Sequence, residues 1–228
     1  MSETVAILGG TGAEGRGLAL QWARAGLALR IGSRDEARAR EAAAAVRAAT
    51  RVGEERVQGL ANAPAAAGAD IVVLTVPLSA QIATIKTVRE HLRPGAIVVD
   101  ATVPVGAALG DRIAHIVTPW AGSAAQQARA FLPESVRLVS AFHSLSAVAL
   151  AGLEHAVECD VLVCGDDAAA RETVRRLAAC IAGVRAIDGG PLANSRFAEH
   201  IAALLISLNA RYKVKHSGVR FTGIDPER

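Results

Sequence analysis

The stretch V-A-I-L-G-G-T-G-A-E-G, Val5 to Gly15, decides the fold. Its first four residues are apolar and predict a short buried strand, and the residues from Gly15 to Ala25 have the pattern of a helix. Between them, Gly10, Gly12 and Gly15 have the spacing G-x-G-x-x-G of a dinucleotide-binding loop. The strand before this loop and the helix after it favour that function over the alternative, a glycine-rich turn without a ligand.

Each glycine of this loop has a predicted role. Gly10 allows the tight turn, Gly12 lets the backbone approach a pyrophosphate, and Gly15 lets the helix pack closely on the strand. Free N–H groups at the helix N-terminus then bind the anion. Glu14 also lies in the loop, and we expect its carboxylate to point to solvent or to Arg16, so that only its main chain contacts the ligand.

The end of the second predicted strand, Leu27 to Gly32, selects between the two nicotinamide dinucleotides. Ser33 and Arg34 follow it directly, and Arg38 comes one helical turn later. A hydroxyl and two guanidinium groups suit a 2′-phosphate, whereas an acidic residue at the strand end would bind the ribose hydroxyls of NAD. Asp35 is the one argument for NAD, but it lies beyond the strand and is placed to cap the next helix. The sequence favours NADP.

Strands and helices alternate through most of the chain. Apolar runs such as Asp70 to Pro77 and Ala96 to Thr102 are hydrophobic at nearly every position, as in strands buried on both faces of a parallel sheet. We predict an α/β fold, a Rossmann-type doubly wound parallel sheet with a small C-terminal α+β domain. Residues 1–148 would form the NADP-binding domain, and residues 149–228 the smaller domain, although no flexible linker marks the boundary.

Two strand ends carry the same pattern, Thr75-Val76-Pro77 and Thr102-Val103-Pro104. The carboxyl ends of the strands are where an open α/β sheet binds its ligand. Each proline stops its strand and turns the chain over the crevice, which would form a wall for the nicotinamide. Ordinary strand termination is the alternative for either loop.

The composition excludes several other classes of protein. The chain of 228 residues is 51% hydrophobic with a formal charge of +3, and its arginines alternate with alanine and glutamate on helical faces, which argues against a nucleic-acid partner. No apolar run reaches the roughly 20 residues of a membrane span, and no signal peptide precedes the first strand, so a cytoplasmic location is expected. Cys159, Cys164 and Cys180 lack the spacing of a metal site. Asp166-Asp167 is expected to cap a helix and not to bind a metal.

Seven segments are similar to one known family. They are G-G-T-G-A-E-G-R-G-L-A-L (Gly9 to Leu20), I-G-S-R-D-E-A-R (Ile31 to Arg38), the V-P turn, G-S-A-A-Q-Q-A-R-A-F-L-P (Gly122 to Pro133), V-S-A-F-H-S-L-S-A (Val139 to Ala147), D-G-G-P-L-A-N-S-R (Asp188 to Arg196) and G-V-R-F-T-G (Gly218 to Gly223). Together they resemble the NADPH-dependent reductases of the deazaflavin coenzyme F420, and the resemblance runs nearly from end to end of the chain. It implies reversible hydride transfer between carbon 4 of NADP(H) and carbon 5 of F420, two small-molecule cofactor substrates, in a homodimer.

The resemblance also implies which residues contact the two cofactors. The NADP contacts would be Thr11, Gly12, Ala13 and Glu14 at the pyrophosphate, Ser33, Arg34 and Arg38 at the 2′-phosphate, and Thr75, Val76, Pro77, Val103 and Ala147 around the nicotinamide and ribose. The deazaflavin would lie over the loop from Val139 to Ala147 and against the C-terminal tail near Ser217 and Gly218.

His143 is the one candidate catalytic side chain. Hydride transfer between two ring carbons needs no protein nucleophile, but a hydrogen-bond donor would stabilise negative charge on the reduced deazaflavin. A histidine satisfied within its own loop is the alternative. Two other functions stay open: an NADP-dependent reductase of a small imine or keto acid, for which His143 would be an indispensable proton donor, and a non-catalytic NADP-binding sensor, favoured if the crevice over His143 is closed.

Overall fold

One mostly parallel sheet forms the centre of the molecule. The computed structural model describes residues 3–106 and 115–225. The first six strands are parallel to their neighbours. They are β1 (Thr4–Leu8), β2 (Ala28–Ser33), β3 (Val57–Ala61), β4 (Ile71–Leu74), β5 (Ile97–Asp100) and β6 (Arg137–Ser140). Their order across the sheet is β3-β2-β1-β4-β5-β6.

Helices cover both faces of this sheet. They are α1 (Ala13–Arg24), α2 (Glu36–Thr50), α3 (Asn62–Ala66), α4 (Leu78–Val88), α5 (Ala124–Arg129), α6 (Ala147–Ala151), α7 (Ala168–Ala179) and α8 (Ser195–Tyr212). Side chains alternate along β1, so that Val5 and Ile7 pack in one buried cluster while Ala6 and Leu8 pack in another. The first cluster includes Trp22, and the second lies on the opposite face of the sheet.

The strand order places a crevice at the carboxyl ends of β1 and β4. The chain moves outward from β1 through β2 to β3, and then returns to the other side of β1 as β4. In the register, Leu8 lies opposite Gly32 of β2 and opposite Leu74 of β4. This reversal is the topological switch point at which open α/β sheets bind their ligands. The predicted Rossmann-type fold is confirmed.

Two later strands extend the same sheet. β7 (Cys159–Gly165) pairs with β6 in the antiparallel direction, and β8 (Val184–Gly190) pairs with β7 in parallel. The boundary expected after residue 148 falls within α6, whose Leu150 lies against α1 at Gly17, where a Cβ would approach it to 2.6 Å. The division of the chain into two functional domains stays a prediction.

The C-terminal tail is attached to the edge of β7 through Asp160. The Asp160 amide donates to the Val219 carbonyl over 2.8 Å, and the Asp160 carboxylate accepts from the Phe221 amide over 2.6 Å. Arg185 and Arg220 also donate to this carboxylate, which is buried. These hydrogen bonds hold the pKa of Asp160 near 2, below its usual value, although burial opposes them. The tail is therefore fixed along β7 and beside α8.

Candidate active site

The loop after β1 has the close backbone packing that its glycines predict. Gly9 has a φ of +83°, and a Cβ there would lie 2.8 Å from the Thr75 carbonyl oxygen, so the turn itself requires glycine at position 9. At Gly10 the missing side chain instead makes room for Ile31. A Cβ on Gly15 would lie 2.7 Å from the Cα of Gly10 and 2.5 Å from the Thr75 hydroxyl, which is the close packing of helix on strand predicted for this position.

The N-terminus of α1 offers N–H groups to an anion. Gly12 is the exposed N-cap of this 12-residue helix and has no side chain with which to cap it. The amides of the first helical turn, Ala13 to Gly15, therefore have no partner inside the helix. Such donors, together with the positive end of the helix dipole, suit a pyrophosphate.

The end of β2 presents a hydroxyl and two guanidinium groups. The Ser33 hydroxyl accepts from the Asp35 amide over 3.2 Å, which leaves its proton free to donate to a ligand. Arg34 and Arg38 are exposed, and neither guanidinium makes a hydrogen bond or ion pair within residues 3–106 and 115–225. Asp35 caps α2 through hydrogen bonds from the amides of Ala37 (2.9 Å) and Arg38 (3.3 Å). The predicted capping role of Asp35 is confirmed, and its carboxylate is engaged by the helix.

The loop after β4 forms the opposite wall of the crevice. The Thr75 amide and hydroxyl both donate to the Leu8 carbonyl, over 2.9 and 3.0 Å. Val76 lies against Gly9, and Pro77 is the N-cap of α4. The Thr102 hydroxyl, after β5, donates to Asp100 over 2.7 Å and lies 3.5 Å from the Val76 carbonyl. The two proline-containing loops are thus adjacent at the switch point.

A cavity of about 310 Å³ joins these three parts of the site. Eight of the residues predicted to contact NADP line it: Thr11, Gly12, Ser33, Arg34, Arg38, Thr75, Val76 and Pro77. A second cavity of about 640 Å³ shares Ser33, Arg34 and Pro77 with it. The predicted phosphate-binding and nicotinamide-binding loops therefore face one continuous space.

The other predicted contacts lie outside this lining. Gly10 and Gly15 support the loop from within, and Val103 is half-buried after β5. Ala147 begins α6. Ser217 lines a separate cavity of about 350 Å³ with Ser144 and Ser146. Whether these residues contact a cofactor stays a prediction.

The expectation that Glu14 points to solvent or to Arg16 is wrong. The side chain is half-buried, and it makes no ion pair with Arg16 in the described part of the chain. Burial, and secondarily the nearby carboxylate of Asp100, raise the pKa of Glu14 to about 8. The side chain therefore turns inward, toward the carboxyl end of β5.

Two further carboxyl groups are buried behind this part of the site. Asp100 accepts hydrogen bonds from Gln81 (2.9 Å) and Thr102 (2.7 Å), but burial raises its pKa to about 6. Glu199, on α8, accepts from the amides that begin α5, over 3.0 and 3.2 Å, and burial raises its pKa to about 8. Sequence reasoning missed both residues, since their proximity depends on how α8 packs against α5.

His143 does not lie on an open crevice. The side chain is 7% exposed and is covered by α8 at Ala198 and Ile201 and by the tail at Val219 and Phe221. Both ring nitrogens are buried without a hydrogen-bond partner among the described residues, and burial lowers the pKa of the imidazole to about 4. The sequence indicated a histidine at a strand end but not the elements that cover it. Its catalytic role stays a prediction.

Asn62 is a lining residue that sequence reasoning missed. It is the first residue of α3, directly after β3, and it borders both cavities at the end of β2. The signal in the sequence is its position next to Ala61, which pairs with Ser33 in the sheet. The position of Asn62 beside the end of β2 can be inferred only when the register of β2 and β3 is known.

Within residues 3–106 and 115–225, no group of three or more His, Cys, Asp or Glu side chains is placed to hold a metal ion. Asp167 caps α7 through the Ala170 amide (2.7 Å), and Asp166 accepts from the Leu192 amide (2.9 Å). In the same part of the chain, none of the helices has the length and hydrophobicity needed to span a bilayer.

The fold and the site define a Rossmann-type dinucleotide-binding protein whose β2 end presents cationic groups. Comparisons with known proteins narrow this class. The model of a family described as "NADP oxidoreductase coenzyme F420-dependent" matches residues 4–104.

Two relatives extend the similarity to nearly the whole chain. The F420-dependent NADP reductase of Methanothermobacter thermautotrophicus is 44% identical over 98% of this chain and 96% of its own. The enzyme of the same name from Methanocaldococcus jannaschii is 42% identical over 97% of this chain and 99% of its own. A crystal structure from Arthrobacter sp. FB24, provisionally described as an F420-dependent NADP reductase, superposes with a TM-score of 0.76 at 27% identity and covers 96% of this chain and 98% of that one. The chain belongs to the family of F420-dependent NADP reductases.

Proposed function

We propose that the protein is an oxidoreductase that transfers a hydride reversibly between NADP(H) and the deazaflavin coenzyme F420. One observation carries the proposal: a single cavity at the switch point joins the phosphate loop, the Ser33-Arg34 end of β2 and the Thr75-Val76-Pro77 loop. The full-length similarity to enzymes named F420-dependent NADP reductases supports the choice of both cofactors.

The groups present in the cavity fit NADP. The unpartnered amides of the first turn of α1 would hold the pyrophosphate. The free guanidiniums of Arg34 and Arg38, with the Ser33 hydroxyl, would hold the 2′-phosphate by charge-assisted hydrogen bonds. The Asp35 carboxylate also borders the cavity, but the amides of Ala37 and Arg38 hold its Oδ1 at the start of α2, and two guanidiniums would outweigh its single negative charge at the phosphate.

The loop after β4 would position the nicotinamide. Thr75 is fixed to β1 by two hydrogen bonds, so Val76 and Pro77 form a rigid wall on one side of the ring. A nicotinamide bound there supplies the hydride or accepts it, with the deazaflavin as the other partner. The protein would contribute orientation and the exclusion of water, which are the main requirements of a direct transfer between two rings.

The deazaflavin would lie between the loop from Val139 to Ala147 and the tail near Ser217. The cavity of about 350 Å³ lined by Ser144, Ser146 and Ser217 supports this placement. His143 belongs to this loop, and its side chain lies beneath α8 and the tail, so direct contact between its imidazole and a ligand requires the tail or α8 to move away. We retain His143 as the candidate hydrogen-bond donor on that condition.

The proposed reaction is tested by mixing the protein with NADPH and oxidised F420 and following the loss of deazaflavin absorbance. NADPH is expected to bleach F420 and NADH to be much less effective, and F420H2 with NADP is expected to run the reaction in reverse. Tight binding of NADPH without bleaching would refute the reductase and favour a sensor. Oxidation of NADPH by a small imine or keto acid, with F420 inert, would favour the other alternative.

Two further expectations belong to this proposal. The resemblance favours a homodimer, which light scattering coupled to size-exclusion chromatography measures directly. A cytoplasmic location suits an enzyme that exchanges electrons between two diffusible cofactors, and cell fractionation tests it.

A further inference from the structure

The side chain of Asn62 is buried but makes no hydrogen bond in the described part of the chain. Its side chain is only 6% exposed, and its amide oxygen Oδ1 is buried without a hydrogen-bond partner in the described part of the chain. A buried amide carbonyl is normally satisfied, because its removal from water is unfavourable unless another donor replaces the water. Because Asn62 borders both cavities, a small rotation of its side chain would bring this buried oxygen to a donor on a bound ligand.

The position of Asn62 in the sheet identifies the part of the ligand that it faces. Ala61, the last residue of β3, pairs with Ser33, the last residue of β2, so Asn62 lies one residue beyond the end of β2 on the neighbouring strand. Its Oδ1 lies close to Gly32, where a Cβ would come within 3.0 Å of it. In Rossmann folds the end of the second strand binds the adenosine ribose.

We propose that Asn62 is a positioning residue for that ribose, and that its Oδ1 accepts a hydrogen bond from the ribose 3′-hydroxyl. This inference rests on the proposed binding of NADP. In NADP the 2′-oxygen carries the phosphate, which Ser33, Arg34 and Arg38 are placed to bind, and the 3′-hydroxyl is the donor that remains. The amide oxygen accepts from a hydroxyl, and Asn62 carries no charge that would repel the adjacent phosphate.

The proposal differs from a role in choosing between NADP and NAD. Both dinucleotides carry the 3′-hydroxyl, so Asn62 would strengthen binding of both to the same degree, whereas the two arginines would favour NADP alone. It also differs from a structural role. Replacing Asn62 by alanine removes no intramolecular hydrogen bond of its amide oxygen, so the ligand-free protein is expected to lose little stability.

The test is a thermodynamic cycle on the ribose contact. The affinities of wild type and Asn62→Ala for adenosine 2′,5′-bisphosphate and for its 3′-deoxy analogue are measured by calorimetry. Asn62→Ala is expected to weaken binding of the bisphosphate by about five- to tenfold, the effect of one neutral hydrogen bond. Toward the 3′-deoxy analogue, wild type and variant are expected to bind equally, because the partner group is already missing.

The control is Asn194→Ala, which removes an asparagine whose side chain donates to the Gly189 carbonyl outside both cavities. Its affinity for the bisphosphate is expected to equal that of wild type. A second measurement separates binding from folding: Asn62→Ala is expected to keep the melting temperature of the free protein while the increase on adding the bisphosphate becomes smaller. Equal losses on both ligands, or an unchanged affinity, would overturn the proposal for Asn62. Failure of wild type to bind the bisphosphate would instead overturn the assignment of NADP.

Discussion

The arginine that follows β2 provides the most direct test of cofactor selection. Arg34 is exposed, lines both cavities and has no protein partner among the described residues, so its guanidinium is available to a 2′-phosphate. A hydrogen bond between charged groups contributes about 1.5–3 kcal/mol, which corresponds to roughly 10- to 150-fold in affinity. Because Arg34 is exposed and its charge is screened by salt, we expect Arg34→Ala to lie at the lower end, a loss of about tenfold for NADPH.

The same change is expected to leave the affinity for NADH unchanged, because NADH has no 2′-phosphate. Titration calorimetry of both dinucleotides, at low and at high ionic strength, measures the two effects. The NADPH loss is expected to shrink at high salt, since wild type then gains less from the ion pair. Adding Arg38→Ala is expected to deepen the loss for NADPH only.

The matched control is Arg40→Ala. Arg40 lies on α2, the helix that carries Arg38, and is also exposed, but it pairs with Glu36 and does not line the cavity. It is expected to change neither affinity. Equal losses of NADPH and NADH on removing Arg34, or an equal effect from Arg40→Ala, would refute the assignment of the 2′-phosphate site.

Three other changes test the rest of the site. Gly15→Ala places a Cβ 2.7 Å from the Gly10 Cα, so it is expected to weaken NADPH binding by about tenfold or more and to lower the melting temperature. The control Gly152→Ala, whose added Cβ has its nearest atom at 3.6 Å, is expected to change neither quantity. The pKa of the His143 imidazole is lowered from 6.5 to about 4. Its neutral form therefore contributes up to about 3 kcal/mol to the free energy of unfolding; this contribution is complete above pH 6.5 and is lost as pH falls through about 4. Urea unfolding of His143→Leu across this range should show a smaller acid-induced loss than wild type, and parallel pH profiles would contradict this. The pKa of Glu14 is raised from 4.5 to about 8, so its protonated form contributes to the free energy of unfolding. This contribution is complete below pH 4.5 and is lost as pH rises through about 8. Glu14→Gln is expected to match wild type in NADPH affinity near neutral pH and to bind more tightly above pH 8, where an ionised Glu14 would repel the pyrophosphate; identical affinities at alkaline pH would exclude that repulsion.

The parts of the site that the sequence predicts correctly are those encoded by neighbouring residues. The packing of Gly15 on Gly10 and the cap formed by Asp35 depend on residues within a few positions of one another, whereas the turn that the sequence assigned to Gly10 requires glycine at Gly9, next to the distant Thr75. Their backbone conformations follow from local sterics and local hydrogen bonds, which spacing alone reveals. The parallel order of the first six strands follows from the same alternation of strand and helix, because short crossovers restrict the topology.

The features that the sequence does not predict depend on contacts between distant segments. β7 reads as an ordinary apolar strand, and nothing in its composition shows that it pairs antiparallel with β6 and continues the main sheet. Glu14 turns inward beside Asp100, and His143 is covered by α8 and by a tail fixed through Asp160. Tertiary packing determines each of these side-chain environments, and the order of residues in the sequence does not predict that packing.

The two kinds of polar group at the end of β2 have different physical consequences for binding. The guanidiniums of Arg34 and Arg38 are exposed, so they would attract the dinucleotide over a distance and discriminate by charge, but salt screens them. Ser33 and Asn62 are buried and uncharged, so they would act only at contact, Ser33 on the 2′-phosphate and Asn62 on the ribose, and would be insensitive to salt. A site built in this way can combine selection of NADP with moderate affinity, because the strongest discriminating groups remain hydrated until the ligand arrives. An enzyme that must release its dinucleotide in every turnover requires that combination, and burying the arginines would remove it.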